Sequence, residues 1–445
     1  MHSAIKKPAI VALLLLLLAA SATAQDWIRT GTGLGIEKVR LAVPDFASTT
    51  ADPQAGELLR TFNDTLWNDL QQAGIFDVVS KSFYPMGSFS APAAIQLDAW
   101  GNPPPNAGMV AFGNLGIGGG RLLVHGWLFD IKNQQSPQVL GKQYNETVSL
   151  QSARIIAHRF ADEIILRLGG GLPGIAESRI YFVSTRGGHK EVWAMDYDGA
   201  NQQQLTHLGS IALSPHVSSD GSRVALAGIF HGDWNILMYS NDLNRMISFP
   251  SFGGMNLSPA WSGDGTKLAF SSSRTGNPEI YTCDANGGNL KRLTATKGPD
   301  VSPVWNPRTG AQIAFVSGRT GLPQIYTMDS DGSNVQRLTD TGYAVSPSWS
   351  PNGQFLLFSW IRHYGPGAPG GDDIYMMDVA THQWVQLTHN GGRNDFPSWA
   401  PDGRHIVFQS NRSGSEQIWT MLADGSQPRQ LTTAGTNSQP NWGAR

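Results

Sequence analysis

From residue 180 to the end of the chain, apolar residues come in short runs divided by turn residues, and the runs recur at a steady beat. Ile180-Tyr181-Phe182 returns as Val224-Ala225-Leu226, Leu268-Ala269-Phe270, Ile313-Ala314-Phe315, Leu356-Leu357-Phe358 and Ile406-Val407-Phe408. Counted at the third residue, the intervals are 44, 44, 45, 43 and 50. A second pattern, Pro-x-aromatic with an Asp-Gly or Asn-Gly turn after it, keeps nearly the same period around Pro215, Pro259, Pro303, Pro347 and Pro397, with Val217 in the aromatic place of the first copy. Its last copy is cut short at Pro440-Asn441-Trp442. Within each period the alternation predicts four short strands: Pro-x-Trp, the apolar triplet, an Ile-Tyr-x-Met-Asp type strand, and a short one ending in Arg-Leu-Thr. Glycine turns such as Gly263-Asp264-Gly265 connect them. Four strands in about 45 residues is the signature of a β-propeller blade.

The triplet at Ile180 has no Pro-x-Trp strand before it, and the strand at Pro440 has no successor. One blade is therefore expected to combine residues 180–206 with residues 438–443, closing a ring of six and removing an open sheet edge. Only blade 5 is expected to depart from the repeat, through a surface loop at 362–371.

Residues 26–170 lack this period. Strands are predicted at 38–43, 75–79, 122–129 and 139–148. Helices are predicted at 54–73, with Leu58, Leu59, Phe62, Leu66 and Leu70 on one face, and at 151–168, with Ile155, Ile156, Phe160, Ile164 and Leu168 turned inward. The Gly-, Pro- and Ala-rich stretch 85–120 reads as loop with room for one short helix. The fold class is thus an α/β N-terminal domain, 37–170, followed by an all-β six-bladed β-propeller, 175–445, with a glycine-rich linker between them.

The first 24 residues read as a secretory leader: Lys6 and Lys7, an apolar run from Ala9 to Ala20, and the small-x-small site Ala22-Thr23-Ala24. Export is expected, with Gln25 as the mature start and a mobile segment over 25–36. The formal charge is −2, and losing Lys6 and Lys7 makes it more negative. With no basic cluster, nucleic acid is not a partner. The single cysteine, Cys283, forbids an internal disulfide and reads as a buried small hydrophobe.

Chemistry is hard to find. No Gly-x-Ser-x-Gly nucleophile elbow is present, and residues 37–170 are too few for a hydrolase sheet and triad. The 11 histidines show no His-Glu-x-x-His spacing; His189, His207, His216 and His231 fall in separate strands and loops of blades 1 and 2. The Asp-Gly turns lack the carboxylate ladder of a calcium loop. A cation in the channel near Asp300 or Asp395 stays open. Gly31-Thr32-Gly33-Leu34-Gly35 precedes a strand where a phosphate loop would follow one.

The chain resembles the TolB family across essentially its whole mature length. The junction Leu172-Pro173-Gly174-Ile175-Ala176-Glu177-Ser178-Arg179-Ile180-Tyr181-Phe182 carries the resemblance. So does Glu37-Lys38-Val39-Arg40-Leu41-Ala42-Val43-Pro44-Asp45-Phe46, which runs directly into a helix. The repeat alone is shared with peptidase-associated and sugar-binding propellers. The resemblance implies a periplasmic protein of the Tol–Pal envelope system with no catalysis, cofactor or metal. It would be a monomer that meets membranes only through its partners and that supports outer-membrane integrity and constriction at cell division. It implies a Pal-like peptidoglycan-associated lipoprotein at the propeller mouth, in loops leading into the innermost strands. Those positions here are Leu213 and Ser214; Met255, Asn256, Leu257 and Ser258; Asp300, Val301 and Ser302; Tyr343, Val345 and Ser346; Asp395 and Phe396. It implies a TolA-like inner-membrane protein at the N-terminal segment, here Asp26, Trp27, Ile28, Arg29 and Thr30. Met255 and Phe396 would be apolar anchors in a polar rim. An exported propeller taking a small molecule or sugar, or a degenerate peptidase-associated propeller, is the alternative at this point.

Overall fold

A computed structural model describes residues 32, 34–35, 37–362, 371–389 and 391–443. The leader, Asp26–Thr30 and most of the blade 5 loop lie outside these residues. The chain divides into two compact units, Ile36–Glu177 and Ser178–Arg445.

In the first unit, β1 (Val39–Ala42) pairs in parallel with β3 (Phe76–Val78) on one side and with β4 (Met109–Gly118) on the other. A two-residue β2 (Ala47–Ser48) also pairs with β4, which continues antiparallel into β5 (Arg121–Asp130) and β6 (Gln138–Thr147). Helices α1 (Ala55–Gln72) and α3 (Leu150–Leu168) cover one face, burying Leu58, Phe62, Leu66 and Leu70 against Ile156, Phe160 and Ile164. A buried bond of 2.7 Å from His158 Nδ1 to Asp69 Oδ2 ties the two helices together. The other face holds Trp100, Val110, Phe112 and Phe129; Trp100 comes from the short helix α2 (Leu97–Gly101).

The expectation of loop across 85–120 is corrected by β4, a ten-residue strand at the centre of the sheet. It is buried on both faces, so its apolar residues do not alternate, and its glycines look like turn signals. A Cβ on Gly113 would collide with the Phe46 ring and the His125 carbonyl, so that glycine answers to close packing within the sheet.

The second unit is six four-stranded sheets, one of them assembled from the last strand, Asn437–Gly443, and strands Arg179–Ser184, Glu191–Asp196 and Gln203–Gln204. In that blade, blade 1, Trp442 stands opposite Ile180, and its indole N–H donates to Ser178 Oγ at 2.8 Å. The tryptophans ending the inner strands are wedges between blades: Trp261, Trp305, Trp349, Trp399 and Trp442 are all buried. Trp261, for example, packs on Ala225, Ile236 and Met238 of the preceding blade.

The Leu-Thr pair closing every blade but the second also has a cause. Thr294 Oγ1 accepts from Ile280 N–H at 2.9 Å and donates to Glu279 at 2.6 Å, fastening the outer strand to the buried start of the third. Thr206, Thr388 and Thr432 repeat both bonds, and Thr339 the first.

Blade 2 departs from the repeat as well, which corrects the expectation that only blade 5 would. Its second and third strands, Arg223–Phe230 and Asp233–Ser240, zip up to a two-residue turn, His231-Gly232, with both residues at positive φ. In blade 3 the same span holds two six-residue strands and a wider turn. The residue count is unchanged, so the period does not reveal it.

Candidate functional site

Every inner strand carries the same irregularity. Ser214, Ser258, Ser302, Ser346, Phe396 and Gln439 have φ of 50°, 51°, 52°, 54°, 50° and 49°, and each immediately precedes a proline. At each the register slips by a residue, as between Leu257 and Ala260 or between Asp395 and Ser398. A left-handed non-glycine residue is uncommon, and bulges re-aim side chains. Here six of them form a ring. The six residues and the prolines after them line a pocket of about 120 Å³ around the propeller axis. His216, Val304, Ser348, Ser398 and Asn441 line it too, and they also line a wider space of about 300 Å³ floored by Trp261, Trp305, Trp349, Trp399 and Trp442.

The residues expected at the mouth sort into two sets. Ser214, Ser258, Ser302, Ser346 and Phe396 converge on the channel, and Met255, just ahead of the strand Asn256–Trp261, is 47% exposed. Asn256, Asp300 and Asp395 are buried and serve the blades. Asn256 Nδ2 donates to the carbonyls of Trp234, Gly253 and Gly254. Asp300 is paired with Arg319 at 3.0 Å. Asp395 Oδ1 accepts from Ser346 Oγ, Ser359 Oγ and Phe396 N–H. Leu213, Leu257, Val301, Tyr343 and Val345 are half-buried.

Most of these positions lie inside the innermost strands, not in loops before them as expected; Ser258, for instance, sits within Asn256–Trp261. The bulge explains the difference, since it gives a residue within a strand the outward aim of a loop residue. Sequence reasoning missed Gln439, the sixth member of the ring, whose Oε1 accepts from Ser214 N–H at 2.7 Å across the closing seam. Its signal was its place before Pro440, where the other copies carry Ser or Phe.

Charge is sparse here. The residues lining the two spaces include no carboxylate and no lysine or arginine. His216 accepts from Trp261 N–H through Nδ1 at 3.4 Å, and burial pulls its pKa down to about 4, so the ring is neutral at pH 7. Burial pushes the Asp395 carboxyl up, against the three hydrogen bonds that stabilise its anion. Among the described residues, no group of three or more His, Cys, Asp or Glu could hold a metal ion. Cys283 is buried, and burial raises its thiol pKa to about 12. Small hydroxyls, prolines, one neutral imidazole and scattered apolar groups make a surface suited to binding by shape and hydrogen bonding.

Comparison with known proteins fits this picture. A family model described as the TolB beta propeller domain matches residues 168–364 and 341–445. The chain is 34% identical over 298 residues to the Tol-Pal system protein TolB of Desulfosudis oleivorans, covering 66% of each chain. It is 36% identical over 270 residues to that of Dinoroseobacter shibae, covering 59% of this chain and 58% of the other. The matched parts thus span less than two thirds of either relative's length. Among solved structures, TolB from Acinetobacter baumannii superposes with a TM-score of 0.76 at 24% identity, over 92% of this chain and 97% of the other. That likeness concerns the fold.

Proposed function

The chain belongs to the TolB β-propeller family, and from that premise we propose that it is a non-catalytic adaptor of a Tol–Pal system in the periplasm. It binds a Pal-like lipoprotein at the bulge-ringed mouth of the channel and a TolA-like protein through residues 26–30. By exchanging these partners it supports outer-membrane integrity and constriction at division. The observation that carries the reading is the ring itself. Six backbone distortions of one kind bring four serines, Phe396 and Gln439 to one opening, beside the exposed Met255. Such strain persists where the surrounding fold enforces it and tends to mark ligand clamps. A convergent, nearly uncharged mouth suits one inserted loop of a protein better than an ionic substrate.

Calorimetry of the mature protein with the Pal-like domain of the same organism tests this, with Met255→Asp and Val301→Asp beside the wild type. Saturable binding weakened at least about tenfold by each charge, at unchanged thermal stability, is the expected result. No heat of binding at hundreds of micromolar, or binding indifferent to both substitutions, would remove the proposal.

A further inference from the structure

The crossings that carry the chain from one blade into the inner strand of the next are mostly polar. Those at 294–299 and 432–436 read Thr-Ala-Thr-Lys-Gly-Pro and Thr-Thr-Ala-Gly-Thr. The crossing from blade 2 into blade 3 reads Phe249-Pro250-Ser251-Phe252-Gly253-Gly254-Met255 instead. Its two rings are held from beneath. Phe252 stacks on Phe270 of the blade 3 core at 4.9 Å between ring centres, and Phe249 meets Phe252 edge-on at 5.9 Å. Asn256 Nδ2 ties down the carbonyls of Gly253 and Gly254, and Ser251 Oγ donates to Asn235 Oδ1 at 2.5 Å. The crossing is therefore an apolar ridge already ordered by folding, which lowers the entropy cost of docking on it.

Other apolar groups stand at the same end of the propeller. The mouth lies where the inner strands begin. In blade 2, Ala212 pairs with Gly228, which puts Phe230 and its turn at that end, and Phe230 is 49% exposed. In blade 4, Asp300 pairs with Ser317, which puts Leu322 there, also 49% exposed. With Met255, three large apolar side chains are thus exposed at this end, all on blades 2 to 4. The same end of blades 5, 6 and 1 is ionic: Arg393 pairs with Asp372 at 3.2 Å, and His189 and Lys190 are exposed. Exposed apolar groups gathered on one side of an opening mark a surface that a partner covers.

We propose that the protein partner at the mouth docks off the propeller axis, laying an apolar patch of its own over Phe230, Phe249, Met255 and Leu322 and leaving the ionic side of the rim in water. This footprint rests on the mouth reading and adds the direction in which the partner extends. The apolar arc is continuous with the ring of bulges through Met255, which stands directly ahead of the inner strand that carries Ser258. The pocket inside the ring is about 120 Å³, room for a side chain or a loop tip, so the body behind that tip must rest on the rim. Aromatic rings and Met on rigid ground are the groups that anchor such contacts.

Calorimetry of the mature protein with the Pal-like domain of the same organism tests the footprint. Phe230→Ser and Leu322→Ser each remove one exposed side chain and should weaken binding at least about fivefold, at unchanged melting temperature. Lys190→Ser and Arg393→Ser, on the ionic side, should change it by less than about twofold. Hydrogen exchange reads the same surface without substitution. On addition of the partner domain, the amides of residues 251–255 should gain protection, and those of residues 187–190 should not. Wild-type binding that is indifferent to Phe230 and Leu322, or that suffers more from Lys190→Ser or Arg393→Ser, would overturn the off-axis footprint and leave the mouth reading intact. Absence of wild-type binding would remove both.

Discussion

At the residue scale, His216 couples the channel wall to pH. Its pKa is depressed to about 4 in the folded chain, against about 6.5 unfolded. Between those values the unfolded chain binds the extra proton, so stability is full above the unfolded pKa and falls as pH drops toward the folded one. Over the whole window the loss is roughly 3 kcal/mol, and below it both states are protonated and the loss stops. Asp395 acts with the opposite sign, because a raised carboxyl pKa favours proton uptake by the folded form. His216→Asn keeps an acceptor for the Trp261 N–H and removes the imidazole titration. Urea denaturation at pH 7 and pH 4.5 should show a smaller loss in this variant than in the wild type; equal losses would refute the assignment. Burial of Cys283 could be read from its place in an alternating strand. The inward service of Asn256, Asp300 and Asp395 could not, since a polar residue at the head of an inner strand can face either the lumen or the neighbouring turn.

At the scale of elements, the threonine that closes five of the six blades is the clearest case of a repeated letter with a physical cause. Thr294→Ala would strip one acceptor from the Ile280 N–H and one donor from Glu279, a carboxylate with no exposure. Leaving those groups short should cost about 1–3 kcal/mol. Thr294→Ser, which keeps the hydroxyl, should cost less. Denaturant midpoints of the two variants compare them directly, and equal midpoints would show that the hydroxyl contributes nothing. Alternation and helical periodicity located nearly every element, including α1 and α3 to within a residue or two of the expected ends. They failed at β4, where burial on both faces erases alternation. They failed again at the bulges, because a left-handed Ser before proline leaves no mark that separates strand from loop. The long hairpin of blade 2 was hidden for a related reason: it is a different hydrogen-bond use of an unchanged number of residues.

At the scale of the whole propeller, the seam between the first and last strands of the ring is the point where six similar sheets become one closed body. The seam rests on Asn437–Gly443 pairing with Arg179–Ser184, on Trp442 buried against Ser178, and on Gln439 and Asn441 receiving the Ser214 and Val217 N–H groups. Removal of residues 437–445 would leave blade 1 with an unpaired strand edge, and blades 2 and 6 with bare apolar walls. Loss of one buried tryptophan side chain costs about 3–5 kcal/mol, and the ladder goes with it. The truncated protein should therefore melt well below the intact one and associate through the freed edge. Light scattering and thermal melts read both effects, and a synthetic peptide of residues 434–445 added in trans should restore the monomer and part of the lost stability. A truncated chain that stayed monomeric at an unchanged melting temperature would mean that the five remaining blades hold their curvature unaided. In that case the seam would serve the mouth alone, since it carries Gln439 into the ring of bulges.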